Sequence, residues 1–296
     1  MIFKKLPVKY IDGKSGVYAI SPNISDKNTL LSWIQNKNFE KFVNGGNQLL
    51  RHTRKRNKLY TFQHPIFDKQ VILKVSEIDK QYKLTRRVNL YLSTLLNDYN
   101  FRAFSGACLL RENDITCPEP IAYWNEKHYF LIKKSYYLYE MIEADNTVHS
   151  FAEKLSAKRK SSLDEIQNVL ANKIVRVVQS IHSAGYRQGD PHPGNFLISN
   201  FTKKISELTT DEINQAQISI IDLDKFSNAR INASHIKLFF DVRCFRRCTL
   251  GKLNQQDMLK IYMGNKHSKL WAIVLEFWML GGFNFTKWFK FEKKRK

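Results

Sequence analysis

Three side chains with oxygen atoms stand at the ends of short apolar elements in the second half of the chain. Asp190 and Asn195 lie five residues apart in the loop GDPHPGN, whose two prolines and two glycines exclude a helix and disfavour a regular strand. Two short strands are predicted nearby, at Phe196–Ile198 and Ile218–Ile221, and Asp222 follows the second strand. The loop and the strands would therefore hold the three side chains in place.

This set of residues suits phosphoryl transfer. A carboxylate must orient or accept the proton of an attacking hydroxyl, and we predict this catalytic role for Asp190. Hard oxygen ligands must hold Mg2+ against the phosphates of ATP, and we predict that Asn195 and Asp222 supply them. The alternative interpretation is a proline-rich surface loop without chemistry. The agreement between loop, strand and second acidic strand favours phosphoryl transfer.

The spacing of these residues matches a known pattern. Protein kinases carry His-Arg-Asp, four further residues, then Asn, and Asp-Phe-Gly downstream. Asp190 and Asn195 keep the Asp-to-Asn spacing, and Asp222 in the stretch IIDLD stands for the Asp-Phe-Gly aspartate. The form Gly-Asp-x-His-x-x-Asn resembles kinases of sugars and other small molecules more than kinases of proteins.

Two further stretches are predicted to contact ATP. Lys74 lies inside the apolar strand VILKV, where a lysine is costly unless it is paired, and it matches the kinase lysine that meets the phosphates. The alternative is an edge-strand lysine that points outward. The strand YYLYEMI matches the one that leads to the adenine, so the backbone from Glu140 to Ile142 is predicted to meet the adenine edge.

The resemblance can be narrowed to one family. GDPHPGNFLI followed by ISIIDLD resembles the lipopolysaccharide core kinases of Gram-negative bacteria. It is most similar to the core heptose kinases, whose loop reads Gly-Asp-Pro-His-x-Gly-Asn-Phe, while the Kdo kinases are more distant. The match is strongest over residues 165–226 and extends to Gln70–Ile142. This resemblance implies ATP-dependent phosphorylation of a sugar hydroxyl, with ATP and Mg2+ and with an inner-core heptose as acceptor.

The resemblance also implies a fold. We expect an α+β, two-lobed protein-kinase-like fold that holds ATP and Mg2+ between a small β-rich N-lobe at residues 47–143 and a larger helical C-lobe at residues 144–296. Residues 1–46 are an extension of unclear role, with an amphipathic helix at Leu30–Phe42. The other predicted elements are strands at Asn47–Leu50, Leu59–His64, Gln70–Val75, Tyr129–Lys133 and Tyr136–Ile142, a strand after Ile115–Ala122, and helices within Lys80–Glu112, Asn168–Ala184 and residues 232–262.

The chain departs from the kinase pattern in two places. The turn that should cover the phosphates, Arg51–Lys58, is basic and contains no glycine. It could contact the phosphates, form a solvated basic hairpin or touch an anionic acceptor. The glutamate that pairs with the strand lysine in protein kinases is missing, since Glu77, Asp79 and Glu112 are all poorly placed. This absence favours an alternative function, a membrane-bound pseudokinase scaffold.

Several other side chains have less specific roles. Asp224 replaces the glycine of Asp-Phe-Gly and could be a second metal ligand, although a cap or a structural pairing is favoured. His192 is predicted to order the backbone of its loop, and Asp241 to steady the catalytic loop. The four cysteines include no Cys-x-x-Cys pair, so Cys244 and Cys248 are predicted to be buried thiols.

The formal charge of +21 predicts a polyanionic partner. The resemblance implies lipopolysaccharide core oligosaccharide and an anionic membrane surface; nucleic acid is not expected, because no binding motif is present. The tail, Leu270–Phe283 followed by NFTKWFKFEKKRK, suits a membrane interface or a packed helix with a solvated end. No signal peptide or membrane-spanning stretch is found, which predicts a cytoplasmic protein, peripheral at the inner face of the inner membrane.

Alternatives remain open at this stage. The acceptor could be Kdo, an aminoglycoside-like compound or a protein instead of heptose. The sequence indicates no oligomeric state.

Overall fold

The structure is a computed structural model. It describes residues 4–45, 48–49, 57–77, 98–128, 131–144, 146–158, 163–199 and 209–228, together with Asp241, Met258 and residues 261–262. The described residues form two compact units. The first comprises those of Met1–Ala144, Ala184–Gly189 and Ser219–Asn228, and the second comprises those of Asp145–Ser183, Asp190–Ile218 and Ala229–Lys296. Two short segments of the second half of the chain thus belong to the first unit.

Seven strands of the described residues form one sheet in the first unit. They are β1 Leu6–Lys9, β2 Ser15–Ile20, β3 Gln48–Leu49, β4 Asn57–His64, β5 Lys69–Glu77, β6 Pro120–His128 and β7 Leu131–Glu140. In the sheet they lie in the order β1-β2-β6-β7-β5-β4-β3, and all neighbours are antiparallel. Strands β3, β4 and β5 agree with the predicted strands to within a few residues.

The region between β6 and the end of β7 differs from the prediction. Separate strands at Tyr129–Lys133 and Tyr136–Ile142 are wrong, because β7 is a single strand. Lys134, which lies between the two apolar runs, is opposite Glu126 of β6 and Glu77 of β5. Lys134 therefore faces oppositely charged neighbours within the sheet and does not mark a turn.

The N-terminal residues, predicted only as an extension of unclear role, supply part of this sheet. Strand β2 pairs with β6 from Gly16, opposite Glu126, to Ile20, opposite Ala122. A Cβ atom at Gly16 would lie 1.8 Å from the carbonyl oxygen of Asn125. Only glycine therefore permits the two backbones to approach this closely.

Two short helices follow where one was predicted. The single helix at Leu30–Phe42 is wrong: α1 spans Lys27–Gln35 and α2 spans Glu40–Asn44. Lys37 interrupts them with a φ of 54°, and its ammonium lies 2.6 Å from Asp12. Although the apolar pattern is continuous, the chain therefore bends at Lys37, a single residue in the left-handed conformation.

Aromatic side chains join these helices to the sheet. Trp33 and Phe39 are buried against Trp124, with ring centroids 6.3 Å and 5.1 Å away. Phe42 stacks on Phe62 of β4 at 4.1 Å. The segment before residue 47 is therefore a covering layer of the core of the first unit.

His64 lies at the edge of this aromatic cluster. Its ring is fully buried, 4.7 Å from the rings of both Trp33 and Phe67. Its Nδ1 accepts a hydrogen bond from the backbone of Ile66, and its Nε2 has no partner among the described residues. Burial lowers the pKa of His64 to about 4, because a charged ring would be desolvated there.

We therefore expect an acid-sensitive stability. The pKa of His64 is below its ordinary value of 6.5, so the stability due to the neutral ring is present above pH 6.5 and is lost as the pH falls toward 4. Between pH 7 and pH 5 the free energy of unfolding should fall by about 2 kcal/mol. Urea titrations of wild type and His64→Phe measure this loss, which should be absent in the variant. His149→Gln, at an exposed histidine, is the control; an equal effect of both substitutions would contradict the assignment.

A third helix also packs on the sheet of the first unit. Helix α3 spans Tyr99–Arg111, inside the segment predicted to be helical, and Asp98 caps its N-terminus by accepting hydrogen bonds from the backbone of Asn100 and Phe101. Asp98 also accepts a hydrogen bond from the Tyr123 hydroxyl. The start of α3 is thus fixed to β6 by a buried polar contact.

Helices dominate the described part of the second unit. The elements are β8 Asn146–Thr147, α4 Val148–Lys158, α5 Leu163–Ser183, a 3-10 turn at Pro193–Asn195, β10 Phe196–Ser199 and α6 Thr210–Gln215. Helix α5 buries Ile166, Leu170, Ile174, Val178 and Ile181 at helical spacing. It begins five residues before the predicted Asn168.

Three polar groups meet at the end of α5. His182 lies 2.5 Å from the Tyr262 hydroxyl through Nδ1 and 3.3 Å from Asp241 through Nε2. Asp241 is fully buried. This carboxylate, for which a structural role was predicted, therefore helps to hold the residues that precede the candidate loop.

Three short strands complete the description: β9 Tyr186–Arg187, β11 Gln217–Ile220 and β12 Ser227–Asn228. The strands predicted at Phe196–Ile198 and Ile218–Ile221 correspond to β10 and β11. Among the described residues, no helix has the length and apolar character needed to cross a bilayer.

Candidate active site

Lys74 lies in the interior of the sheet, on β5 between β4 and β7. Its side chain is about nine-tenths buried, and its Nζ atom lies 2.5 Å from Asp224 and 3.7 Å from Asp222. Burial by itself would lower the pKa of the Lys74 ammonium, but the two carboxylates outweigh burial and raise the pKa above its ordinary value. The lysine is therefore charged and held between two acids.

The two acids differ in their surroundings. The Asp224 side chain is 18% exposed, whereas that of Asp222 is 52% exposed. Asp222 has a φ of 57°, in the left-handed region, while the next residue, Leu223, is buried. The turn thus directs the two carboxylates differently, with Asp224 enclosed on the lysine and Asp222 open to solvent.

Sequence reasoning missed Gln188, which fixes this turn. Gln188 is fully buried, and its Nε2 donates a hydrogen bond of 3.0 Å to the backbone carbonyl of Asp222. It lies two residues before Asp190, where the protein-kinase pattern has the histidine of His-Arg-Asp. That position was the available signal, because a buried glutamine must be hydrogen-bonded.

The segment before Asp190 packs tightly on the segment after Asp222. Strand β9 pairs with β12, and the rings of Tyr186 and Phe226 stack at 5.2 Å. Gly189 has a φ of 93°, and a Cβ atom there would lie 2.5 Å from Cβ of Lys225. The two segments therefore approach each other through a glycine.

Gly189→Ala should disturb this packing. The variant meets both the left-handed strain and the clash with Lys225, so we expect the free energy of unfolding to fall by about 2 kcal/mol or more. Gly13→Ala is the matched control, because Gly13 also has a positive φ of 77° but nothing lies within 4 Å of a Cβ atom there. It should cost about 1 kcal/mol. Denaturant titrations compare the two, and equal losses would show that the close approach at Gly189 is unimportant.

The structure brings Asp190 and Asn195 together in the second unit. Asn195 is buried, and its side chain donates a hydrogen bond of 2.9 Å to the backbone carbonyl of Asp190. His192 takes part in the same loop: its N–H donates to Asp190, and its Nδ1 accepts from Gly194. His192 thus orders the backbone, in agreement with its predicted role. The amide nitrogen of Asn195 is engaged as a donor, which leaves its oxygen as the candidate ligand atom.

At the strand end that was predicted to meet adenine, only some backbone groups are available to bind it. The backbone N–H groups of Glu140 and Met141 donate to Glu119 and Gln70 within the sheet, and the Glu140 side chain pairs with Lys69. The N–H of Ile142 has no backbone partner among the described residues. Of the two predicted residues, Ile142 could thus offer its N–H group, whereas Glu140 could offer only its carbonyl.

The donor chemistry fits Mg2+. In the first unit Asp222 offers a solvent-exposed carboxylate, and in the second unit Asn195 offers an amide oxygen; each by itself is a hard ligand. Within the described ranges, no group of three or more His, Cys, Asp or Glu side chains could hold a metal ion. In kinases, one or two protein oxygens bind Mg2+ together with the phosphates of the nucleotide.

Asp224 takes the place of the missing glutamate as the partner of Lys74. Of the three acids considered from the sequence, Glu77 lies 3.9 Å from Lys134, Glu112 ends α3 and is exposed, and Asp79 lies outside the described residues. The pairing favoured for Asp224 is therefore present, and its partner is Lys74.

Several predicted features lie outside the described residues. These are residues 51–56 of the basic turn, residues 80–97 and 201–208, Cys244 and Cys248, and the aromatic basic tail.

Comparison with solved structures places this fold among the kinases. A structure described as WaaP in complex with acyl carrier protein matches with a TM-score of 0.58 and 13% identity, over 87% of this chain and 94% of that chain. A Toxoplasma gondii rhoptry antigen kinase domain covers 93% of this chain and 79% of its own, at 10% identity and a TM-score of 0.42, too low to add to the argument. The predicted two-lobed kinase-like fold is confirmed.

The family follows from the sequence match. The model of the lipopolysaccharide core biosynthesis protein (WaaY) family matches residues 31–232, about two-thirds of the chain. The chain belongs to this family, which confirms the predicted resemblance to the core heptose kinases. It is thus a phosphotransferase that acts on a sugar hydroxyl in lipopolysaccharide core biosynthesis. A search of curated proteins finds no match.

Proposed function

We propose that the chain transfers the terminal phosphate of ATP to a hydroxyl of an inner-core heptose of lipopolysaccharide or lipooligosaccharide. The observation that carries this proposal is the buried Lys74 beside Asp222 and Asp224 in a chain of this family. A paired, charged lysine next to an exposed carboxylate is the arrangement that binds phosphates together with a cation. A pseudokinase scaffold is less favoured, because Lys74 has a carboxylate partner.

Each site residue has a proposed role. Asp190 orients the acceptor hydroxyl and accepts its proton, while Lys74 contacts the phosphates of ATP. Asn195 and Asp222 hold Mg2+, which neutralises charge that develops on the transferred phosphoryl group. Ile142 donates its N–H to the adenine edge, and the carbonyl of Glu140 accepts from the adenine amino group.

The charge of the chain supports the proposed partners. We propose that the chain works at the cytoplasmic face of the inner membrane, where the lipopolysaccharide core oligosaccharide is carried on an amphiphile among anionic lipids. The net charge of +21 supports attraction to such a surface.

The decisive experiment is an assay of phosphate transfer from ATP with Mg2+ to purified core oligosaccharide. The matched acceptor is a core truncated before the first heptose, and Asp190→Asn serves as the inactive enzyme. Transfer to the full core alone, with the phosphate mapped by mass spectrometry to heptose, supports the proposal. Transfer to the truncated core would identify Kdo as the acceptor. Transfer only to an aminoglycoside or a protein mixture would identify another acceptor class.

A failure can also be interpreted. If no acceptor is phosphorylated and calorimetry finds no binding of ATP with Mg2+, the scaffold alternative is correct. Binding of ATP without transfer would contradict only the choice of acceptor.

A further inference from the structure

We propose that Asp224 is a positioning residue for Lys74: it holds the ammonium where the phosphates of ATP bind, and it is not a ligand of Mg2+. This inference rests on the proposed function and adds a role that the kinase pattern does not contain, because that pattern has glycine at this position.

The two acids beside Lys74 differ in their distance from its ammonium and in their exposure. Asp224 lies 2.5 Å from the Lys74 ammonium and is 18% exposed, whereas Asp222 lies 3.7 Å away and is 52% exposed. A hydrogen-bonded ion pair forms at the shorter distance only. A hydrated cation can approach the exposed carboxylate more easily, because Mg2+ retains several of its waters. Each acid is therefore suited to a different partner.

Helix α3 offers Lys74 no carboxylate. None of its 13 residues, YNFRAFSGACLLR, is acidic. Asn100 instead donates through Nδ2 to the backbone carbonyl of Ser135 at 2.9 Å and to that of Lys74 at 3.4 Å. The helix thus fixes the backbone of the strand, and the lysine side chain takes its partner from elsewhere.

The segment that carries Asp224 is well anchored. Leu223 and Phe226 on either side of it are buried, and the N–H of Phe226 donates to the carbonyl of Leu223. A Cβ atom at Gly106 of α3 would lie 2.7 Å from the Phe226 ring, so helix and segment are in close contact. A carboxylate on such a support can fix the direction of a flexible lysine.

The test separates lysine positioning from metal binding. ATP is titrated by calorimetry into the full chain in EDTA and again with Mg2+, for wild type, Asp224→Asn and Asp222→Asn. Asp224→Asn should weaken ATP binding about tenfold in both conditions, because the Lys74 ammonium loses its support. Asp222→Asn should weaken binding only with Mg2+. Asp114→Asn removes an exposed carboxylate of the same unit and should change neither value.

Two results would overturn the inference and leave the proposed function standing. A loss in Asp224→Asn that appears only with Mg2+ would make Asp224 a metal ligand. Unchanged or tighter binding of metal-free ATP would make the ion pair a contact that does not assist the phosphates. Wild type that binds no ATP in either condition would instead overturn the proposed function, and this inference with it.

A second measurement covers the case in which Asp224→Asn does not fold. The double variant Lys74→Met/Asp224→Asn removes both partners and should fold, because an unpaired buried charge is worse than none. A double variant that is no more stable than the single one would contradict the pairing.

Discussion

Asp190→Asn is expected to lower kcat for phosphate transfer about 1000-fold, with ATP binding and stability close to wild type. Asparagine has the size of aspartate but cannot accept the proton of the sugar hydroxyl. The loop should keep its shape, because His192 and Asn195 hold Asp190 through its backbone carbonyl. Steady-state kinetics with core oligosaccharide, and calorimetry with ATP, measure the two quantities.

The control for this prediction is Asp211→Asn, which removes an exposed carboxylate from α6 of the same unit. It should leave kcat unchanged. If Asp190→Asn retained more than about a tenth of the wild-type kcat, another group would have to accept the proton, since loss of a general base costs at least 100-fold.

Lys74→Met should reduce both stability and catalysis. Methionine fills a similar volume but leaves the enclosed carboxylate of Asp224 without its cation, so the free energy of unfolding should fall by about 3 kcal/mol. The value of kcat/KM for ATP should fall at least about 100-fold, because a charge-assisted contact to the phosphates is lost.

The two effects of this substitution can be separated. Lys69→Met is the control, because Lys69 lies on the same strand and forms a more exposed ion pair with Glu140. It should change stability by less than about 1 kcal/mol. Adding Asp224→Asn to Lys74→Met should restore much of the stability but not kcat/KM. Recovery of catalysis in the double variant would show that Lys74 does not contact the phosphates.

The backbone course of the loop could be predicted because it is local. Asp190 and Asn195 are separated by four residues, and the prolines and glycines between the elements restrict the backbone whatever surrounds it. The strands on either side follow from short apolar runs. For the same reason the long helix α5 could be predicted to within a few residues from its apolar spacing.

The partner of Lys74 could not be predicted, because the contact is not local. Asp224 lies 150 residues further along the chain, and periodicity carries no information on such pairings. The kinase pattern directed attention to a helix glutamate, whereas the carboxylate comes from the turn after β11. Gln188 was missed for a related reason, since its type differs from that of the histidine it replaces.

The N-terminal strands were missed because their residues read poorly as strands. Pro7 lies in β1 and Gly16 in β2, and both residue types are depleted in strands. Pro7 is tolerated because β1 is the edge of the sheet, and Gly16 is needed by the close approach to Asn125. Tertiary context decided these elements.

The absence of acidic residues from α3 has a consequence for how the activity of the chain can be regulated. Many protein kinases are switched off by swinging the corresponding helix outward, which breaks the ion pair of the strand lysine. Here such a swing would break no ion pair of α3 with Lys74, because the carboxylate is carried by Asp224. We therefore expect an activity that does not depend on the position of α3 and that is set by the supply of acceptor and nucleotide. That behaviour suits a step in building an envelope component, which must proceed whenever its precursor arrives.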